Sequence, residues 1–351
     1  MGLIRFLLAC IVVLCHTSPL FGYQPIPADL AVQFFYVLSG FYMTLVLNEK
    51  YHKGSNVSFY KNRALKIYPV YWLILILLVV WGIFVYLMGH PGTIHFYEYA
   101  SPLGFGTWFY LIFANIFIIG LDLTFLLGIT NGKLFFTGNF LRSDPNVYQF
   151  AFNSIAWTVG VEMLFYLIAP FILRKRLIIP VALLAGSLIL RIYLSANGMP
   201  GHPWDYMFFP TQIMFFMAGF ISYHLYVRMK KYPANDLLLK CSFGLMLIAL
   251  VLYSYLFANT YIKQAIFFAL ITLLIPGTFM LTRNSKIDRY FGNLSYPIYI
   301  SQMLIINITR ANSFPKIFGF GFTTLVIVII FSILLERYLS RKVEEFKVNP
   351  N

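Results

Sequence analysis

Charge is scarce in this chain, and negative charge scarcest: 12 of its 351 residues are acidic, against 26 lysines and arginines. Charged residues make up 11% of the whole, where a soluble domain carries about 25%. That shortage excludes an ordinary water-soluble fold. Cysteine is scarce too. Cys10, Cys15 and Cys241 each lie in an apolar stretch and form neither a disulfide framework nor a metal-ligand spacing, so packing is their expected role and no metal is expected. No long linker, low-complexity tract or sequence repeat appears, and no soluble appendage is expected after the last span. The first apolar run continues through Thr17 and Ser18 without a small-residue cleavage motif, so it reads as a retained helix and not as a signal peptide.

What remains is apolar: 60% of the residues are hydrophobic and the mean hydropathy is +0.76. Lipid forces backbone groups to pair internally, which leaves a helical bundle as the simplest solution for such a chain. The expectation is an all-α polytopic membrane protein. Apolar segments fall near 3–22, 28–48, 67–88, 108–128, 153–173, 177–195, 207–227, 238–257, 262–281, 293–309 and 317–338. Residues 1–338 then form one membrane domain and 339–351 a short tail.

The net charge of +14 does not point to nucleic acid, because the basic residues come in short clusters between spans. That pattern fits cytoplasmic loops that face anionic lipid or an anionic ligand. Lys50, Lys53, Lys61, Arg63 and Lys66 follow the second span. Later clusters are Arg174-Lys175-Arg176, Arg228/Lys230/Lys231/Lys240, Arg283/Lys286/Arg289 and the tail Arg337/Arg341/Lys342/Lys347. The alternation places both termini in the cytoplasm. It also leaves segment 108–128 unable to cross, so that segment is expected to be a re-entrant or interfacial helix beside about ten crossings.

Four features carry chemistry. Arg5 and His16 sit eleven residues apart in the first helix, which places them on one face about 16 Å apart; an ionisable residue inside a membrane is a functional candidate by default. The stretch "FFYVLSGFY" holds Ser39 in the second span. "YKNRALKIYPVYW" carries Arg63 and Lys66 into the third, with Pro69 expected early in that helix. "SIAWTVGVEMLFYLIAP" puts Trp157, Glu162 and Tyr166 in another.

Together with "FGNLSYPIYISQMLI" in the tenth crossing, these stretches resemble the acyltransferase-3 family of membrane O-acyltransferases over nearly the whole chain. The Arg-x10-His spacing matches at Arg5 and His16, the Phe-Phe-x-Leu-Ser-Gly-Phe pattern at Phe34 to Phe41 with one extra residue between Phe35 and Leu38, and the Trp-Ser-Leu-x-Val-Glu pattern at Trp157 to Glu162. The resemblance implies transfer of an acyl group, usually acetyl, from acyl-coenzyme A as co-substrate to hydroxyls of a surface polysaccharide or lipid-linked glycan. It implies a multi-pass protein of the bacterial inner membrane, in contact with membrane lipids and with no bound cofactor. Three positions depart from the family pattern. Lys66 stands where a second arginine is common, which keeps the charge but not the bidentate fork. Gln33 replaces a common acidic residue and Gln302 a frequent histidine, so the catalytic load shifts to His16. The hydrolase-like domain of some relatives is absent, which suggests a stand-alone enzyme or one with a separate periplasmic transferase as partner.

Roles follow from chemistry. Histidine suits removal of a hydroxyl proton near neutral pH, so His16 is the expected general base and Glu162 its expected orienting partner. Arg5, Arg63 and Lys66 are expected to bind the coenzyme phosphates, and Trp157, Tyr166, Ser39 and Gln33 to contact substrate. Each has a plainer alternative. Arg5 could snorkel, Arg63 and Lys66 could only set topology, Glu162 could form a structural ion pair, Trp157 could be an interface aromatic, and Ser39 a helix-packing residue. The rival class is a secondary transporter or flippase, whose spans also carry buried charges. Such proteins often show related halves, and no such repeat is visible here.

Overall fold

The computed structural model describes the chain except residues 21, 52–55, 91, 100–102, 175–176, 234, 256–259, 312–313 and 349–351. Lys53, Lys175 and Arg176 of the basic clusters therefore lie outside the described residues. The remainder is mostly helical. In chain order the helices are α1 (Gly2–His16), α2 (Ala28–Glu49), α3 (Asn56–Leu87), α4 (Thr93–Tyr99), α5 (Phe105–Phe117), α6 (Trp157–Ile172), α7 (Ile178–Ala196), α8 (Phe209–Met229), α9 (Asp236–Leu252), α10 (Thr260–Thr282), α11 (Lys286–Thr309) and α12 (Phe320–Leu335). Among the described residues, seven helical segments are long and apolar enough to cross a membrane: those built on α2, α3, α6, α7, α9, α10 and α12. α8 and α11 match the length, with 21 and 24 residues.

Close packing in the centre depends on small residues. α1 lies against α11, α2 and α12, while α2 packs along α8. A Cβ at Gly40 of α2 would collide with the Phe216 carbonyl, and one at Gly219 of α8 with the Val37 carbonyl. Without side chains there, the two backbones meet directly, as small residues allow in membrane bundles. Phe34, Phe41, Phe165, Phe216 and Phe220 are fully buried around this crossing.

Several boundaries differ from the sequence expectation, each for a local reason. α1 stops at His16 instead of running on to residue 22, because Pro19 disfavours helix at the residue before it. α3 begins at Asn56, so Lys61, Arg63 and Lys66 ride on a helix and not in a loop; Pro69 lies in that helix's interior. The segment 108–128 is not one helix. α5 ends at Phe117, where Ile118 (φ 66°) and Gly120 (φ 84°) take left-handed conformations that no helix continues through. Its 13 residues span about 20 Å, short of a bilayer core of about 30 Å. A 3₁₀ turn, Leu121–Phe125, follows. Strands β1 (Leu127–Thr130) and β2 (Lys133–Phe136) then pair antiparallel, joined by Asn131-Gly132 with both φ values positive. That dipeptide is the preferred chemistry for a tight hairpin turn, and the small sheet departs from a purely helical fold. Asp122 in the 3₁₀ turn is 1% exposed and its Oδ1 has no hydrogen-bond partner. Burial pushes its carboxyl up from 3.8 to about 7, against its own and Leu123 backbone N–H groups.

Basic residues converge at one end of the bundle. There Arg174 donates to Asn56 Oδ1 at 2.7 Å and to the Tyr51 carbonyl at 2.8 Å, Lys230 pairs with Glu49 at 3.2 Å, and Arg283 donates to the Tyr226 hydroxyl at 3.0 Å. α1 enters at this end. Asp288 of α11 accepts from the Gly2 and Leu3 backbone N–H groups at 2.7 and 2.9 Å, a carboxylate cap on a helix N-terminus supplied by another helix. The end segment folds back here as well: Asn62 of α3 exchanges two hydrogen bonds with the Val348 backbone, at 2.8 and 2.9 Å.

Candidate active site

Helical periodicity brings distant sequence to one place. Ser39, Tyr42, Met43 and Val46 repeat along one face of α2; Arg63 and Lys66 are three apart on α3; Glu162 and Tyr166 are four apart on α6. These faces, with α1, α10 and α11, enclose a cavity of about 620 Å³ near the basic end. Arg5, Lys50, Arg63, Lys66, Arg283 and Arg289 line it, against the two carboxylates Glu162 and Asp288. Asp288 is already engaged by the start of α1. Among the described residues, Arg5, Arg63, Lys66 and Arg289 enter no ion pair.

Orientation of these cations comes from aromatic neighbours. The Arg5 guanidinium lies over the Tyr42 ring, 5.8 Å from its centroid, and Arg63 lies 5.9 Å from that of Phe59. Stacking fixes a guanidinium plane while leaving its edge donors free. The Arg63 Nε is buried without a hydrogen-bond partner, whereas Lys66 is exposed where it lines the cavity. Like charges around one enclosed space repel. An anionic ligand removes that repulsion and supplies the missing acceptors.

Going inward, the lining turns from charge to hydroxyls. Ser39 and Tyr166 both donate to the same Glu162 oxygen. One turn deeper on α2 and α6, the Tyr36 hydroxyl donates to the Thr158 carbonyl at 3.3 Å, and the Thr158 hydroxyl lies 2.7 Å from that of Tyr299. Tyr36, Thr158 and Tyr299 all line the cavity. Gln302 follows Tyr299 on α11. Its Nε2 donates to the Tyr299 carbonyl at 2.9 Å, and its Oε1 lies 3.3 Å from His16 Nδ1. His16 Nδ1 is also 2.9 Å from the Val12 carbonyl.

The residues singled out in the sequence therefore divide into two groups. Arg5, Arg63, Lys66, Ser39, Glu162 and Tyr166 line one cavity. His16, Gln33 and Trp157 do not. Glu162 faces the cavity and accepts from Ser39 and Tyr166, while the His16 imidazole lies against the Val12 carbonyl and Gln302. His16 itself lies at the far end of α1 from the lining residues Gly2 and Arg5, its ring exposed on one side and its Nδ1 part-buried against Val12 and Gln302. Gln33 is buried against Gln212 (3.3 Å) and the Asp205 carbonyl (3.4 Å), and Trp157 is buried edge-on to Phe125 and Tyr206. Sequence reasoning missed Lys50, Arg283, Arg289, Tyr296 and Tyr299 as members of the site. The three cations among them belong to basic clusters whose spacing marks loops between spans and names no site.

The model of the acyltransferase-3 family, described as an acyltransferase domain, matches residues 1–337. A curated protein from Rhizobium radiobacter, "Protein 2 in picA locus", is 34% identical over 93 residues, which is 26% of this chain and 49% of that protein. The chain thus spans about half the length of this curated relative. No solved structure matches it. With the family model covering nearly the whole chain, and with the matched motifs meeting around one cationic cavity, the chain belongs to the acyltransferase-3 family of membrane acyltransferases.

Proposed function

We propose that this acyltransferase binds acyl-coenzyme A through its cationic cavity and transfers the acyl group, in the simplest case acetyl, to a hydroxyl of a surface polysaccharide or lipid-linked glycan. In this reading the protein sits in the bacterial inner membrane with both termini and the basic end in the cytoplasm, where acyl-coenzyme A is made. The observation that carries the proposal is the set of six lysines and arginines around one 620 Å³ space with a single carboxylate, Glu162, left to face them. Coenzyme A brings several phosphate charges, which suit such a cradle. Family membership favours transfer over transport.

The chemistry runs as follows. Arg5, Arg63 and Lys66, with Arg283 and Arg289, hold the phosphates, and the thioester reaches inward toward Tyr36, Thr158 and Tyr299. His16 removes the proton from the acceptor hydroxyl as its oxygen attacks the thioester carbonyl. The C–O bond forms, the C–S bond breaks, and the coenzyme leaves as a thiolate that takes a proton. Glu162 holds the Ser39 and Tyr166 hydroxyls and tempers the positive charge of the donor cavity.

The test is binding of acetyl-coenzyme A to purified protein in lipid nanodiscs. The Arg63→Ala/Lys66→Ala double variant should raise Kd by roughly a hundredfold or more, since each charge-assisted contact contributes about 1.5–3 kcal/mol. Unchanged affinity would return these two residues to the role of topology markers.

A further inference from the structure

The Gln302 amide is fixed in orientation by what it touches. Its nitrogen donates to the Tyr299 carbonyl at 2.9 Å. A carbonyl oxygen can only accept, so the amide nitrogen has to face Tyr299 and the amide oxygen has to face His16. His16 Nδ1 then meets two oxygens that only accept, Gln302 Oε1 at 3.3 Å and the Val12 carbonyl at 2.9 Å. A bare nitrogen lone pair between them would be repelled by both. Nδ1 must carry the hydrogen, and a neutral imidazole has only one, so Nε2 keeps the lone pair.

The two acceptors do different things. Val12 belongs to α1 and moves with His16. Gln302 belongs to α11, the helix that carries Arg289, Asn293, Tyr296 and Tyr299 into the donor cavity. Gln302 is also fully buried, so water does not readily replace it. We propose that Gln302 is a positioning residue: it holds His16 in the tautomer protonated at Nδ1 and ties the ring to the cavity helix, leaving Nε2 to take the acceptor's proton. This rests on the reading of His16 as the general base. It also replaces Glu162 in the orienting role with an uncharged amide from another helix.

The experiment is nitrogen-15 NMR of the chain labelled in its six histidines, in nanodiscs, with the His16 signals identified by their loss in His16→Gln. The native ring should show hydrogen on Nδ1. Gln302→Met keeps the volume but removes the acceptor from α11, leaving only the Val12 carbonyl on Nδ1; it should raise the share of rings with hydrogen on Nε2 and lower kcat by roughly 3- to 10-fold with KM for acyl-coenzyme A unchanged. Gln302→Glu keeps the acceptor oxygen and should keep the Nδ1–H tautomer. Hydrogen on Nε2 in the native chain overturns the proposal, and this measurement needs no variant of Gln302 to fold. So does a Gln302→Met chain with native tautomer and native kcat. If His16→Gln acylates at the native rate, the assignment of His16 as base falls, while the NMR result still decides whether Gln302 sets the tautomer.

Discussion

Replacing Glu162 by glutamine changes charge while leaving geometry nearly intact. Ser39 and Tyr166 donate to one oxygen of this side chain, and the glutamine amide oxygen can accept in its place. The 620 Å³ cavity is about 10 Å across if taken as a sphere, so a phosphate held by its cations sits within about that distance of the carboxylate. At an effective dielectric constant of about 20, two unit charges about 10 Å apart repel by roughly 1.7 kcal/mol. Removing the negative charge should therefore tighten coenzyme A binding by roughly tenfold. Calorimetric titration of coenzyme A into native and Glu162→Gln protein in nanodiscs reads this directly. Glu162→Ala is the contrasting variant: it strands a buried tyrosine hydroxyl and a half-buried serine, at about 1–3 kcal/mol of stability for each hydroxyl. Equal or weaker coenzyme binding in Glu162→Gln refutes the placement of an anion beside this carboxylate.

Two further predictions concern the scaffold. Asp122 has a folded-state pKa raised to about 7, so between about pH 4 and 7 the folded chain keeps a proton that the unfolded chain has released, and stability falls as pH rises through that window. Asp122→Asn should stabilise the protein at pH 8 by up to about 4 kcal/mol and not at pH 4; thermal unfolding that shows an equal effect at both values contradicts the buried, protonated acid. Asp288→Asn should cost about 1 kcal/mol, because the start of α1 loses its charged cap while keeping an acceptor; an unchanged unfolding midpoint in detergent would mean that the cap contributes nothing.

Long apolar runs made most of the helices legible, since hydropathy reports burial in lipid directly. Their ends were harder to read. Lys61, Arg63 and Lys66 look like a loop by polarity, yet they continue α3, because lining a cationic cavity needs the same residues as a cytoplasmic loop. Asn131-Gly132 is a strong hairpin signal that the neighbouring apolar run obscured, and Ile118 gave no warning of its left-handed backbone. The motifs named Arg5, Ser39, Arg63, Lys66, Glu162 and Tyr166, all of which line one cavity. Their mutual contacts were not legible. Nothing in the spacing of Glu162 shows that it bonds Ser39 and Tyr166 and leaves His16 to Gln302, because those pairings join helices far apart in sequence. Arg283 and Arg289 were hidden for the same reason: a basic cluster reads as an orientation signal until the opposite wall is known.

His16→Gln bears most directly on the central claim of acyl transfer with His16 as base. The substitution keeps a hydrogen-bonding amide but offers no group that accepts a proton near pH 7. The variant should insert and bind acetyl-coenzyme A as the native chain does, because His16 lies outside the cationic cavity. Acylation of the surface glycan, followed by mass spectrometry, should fall by about 10² to 10⁴ in rate, the usual contribution of a general base. A glycan acylated at near-native rate by His16→Gln would contradict the account.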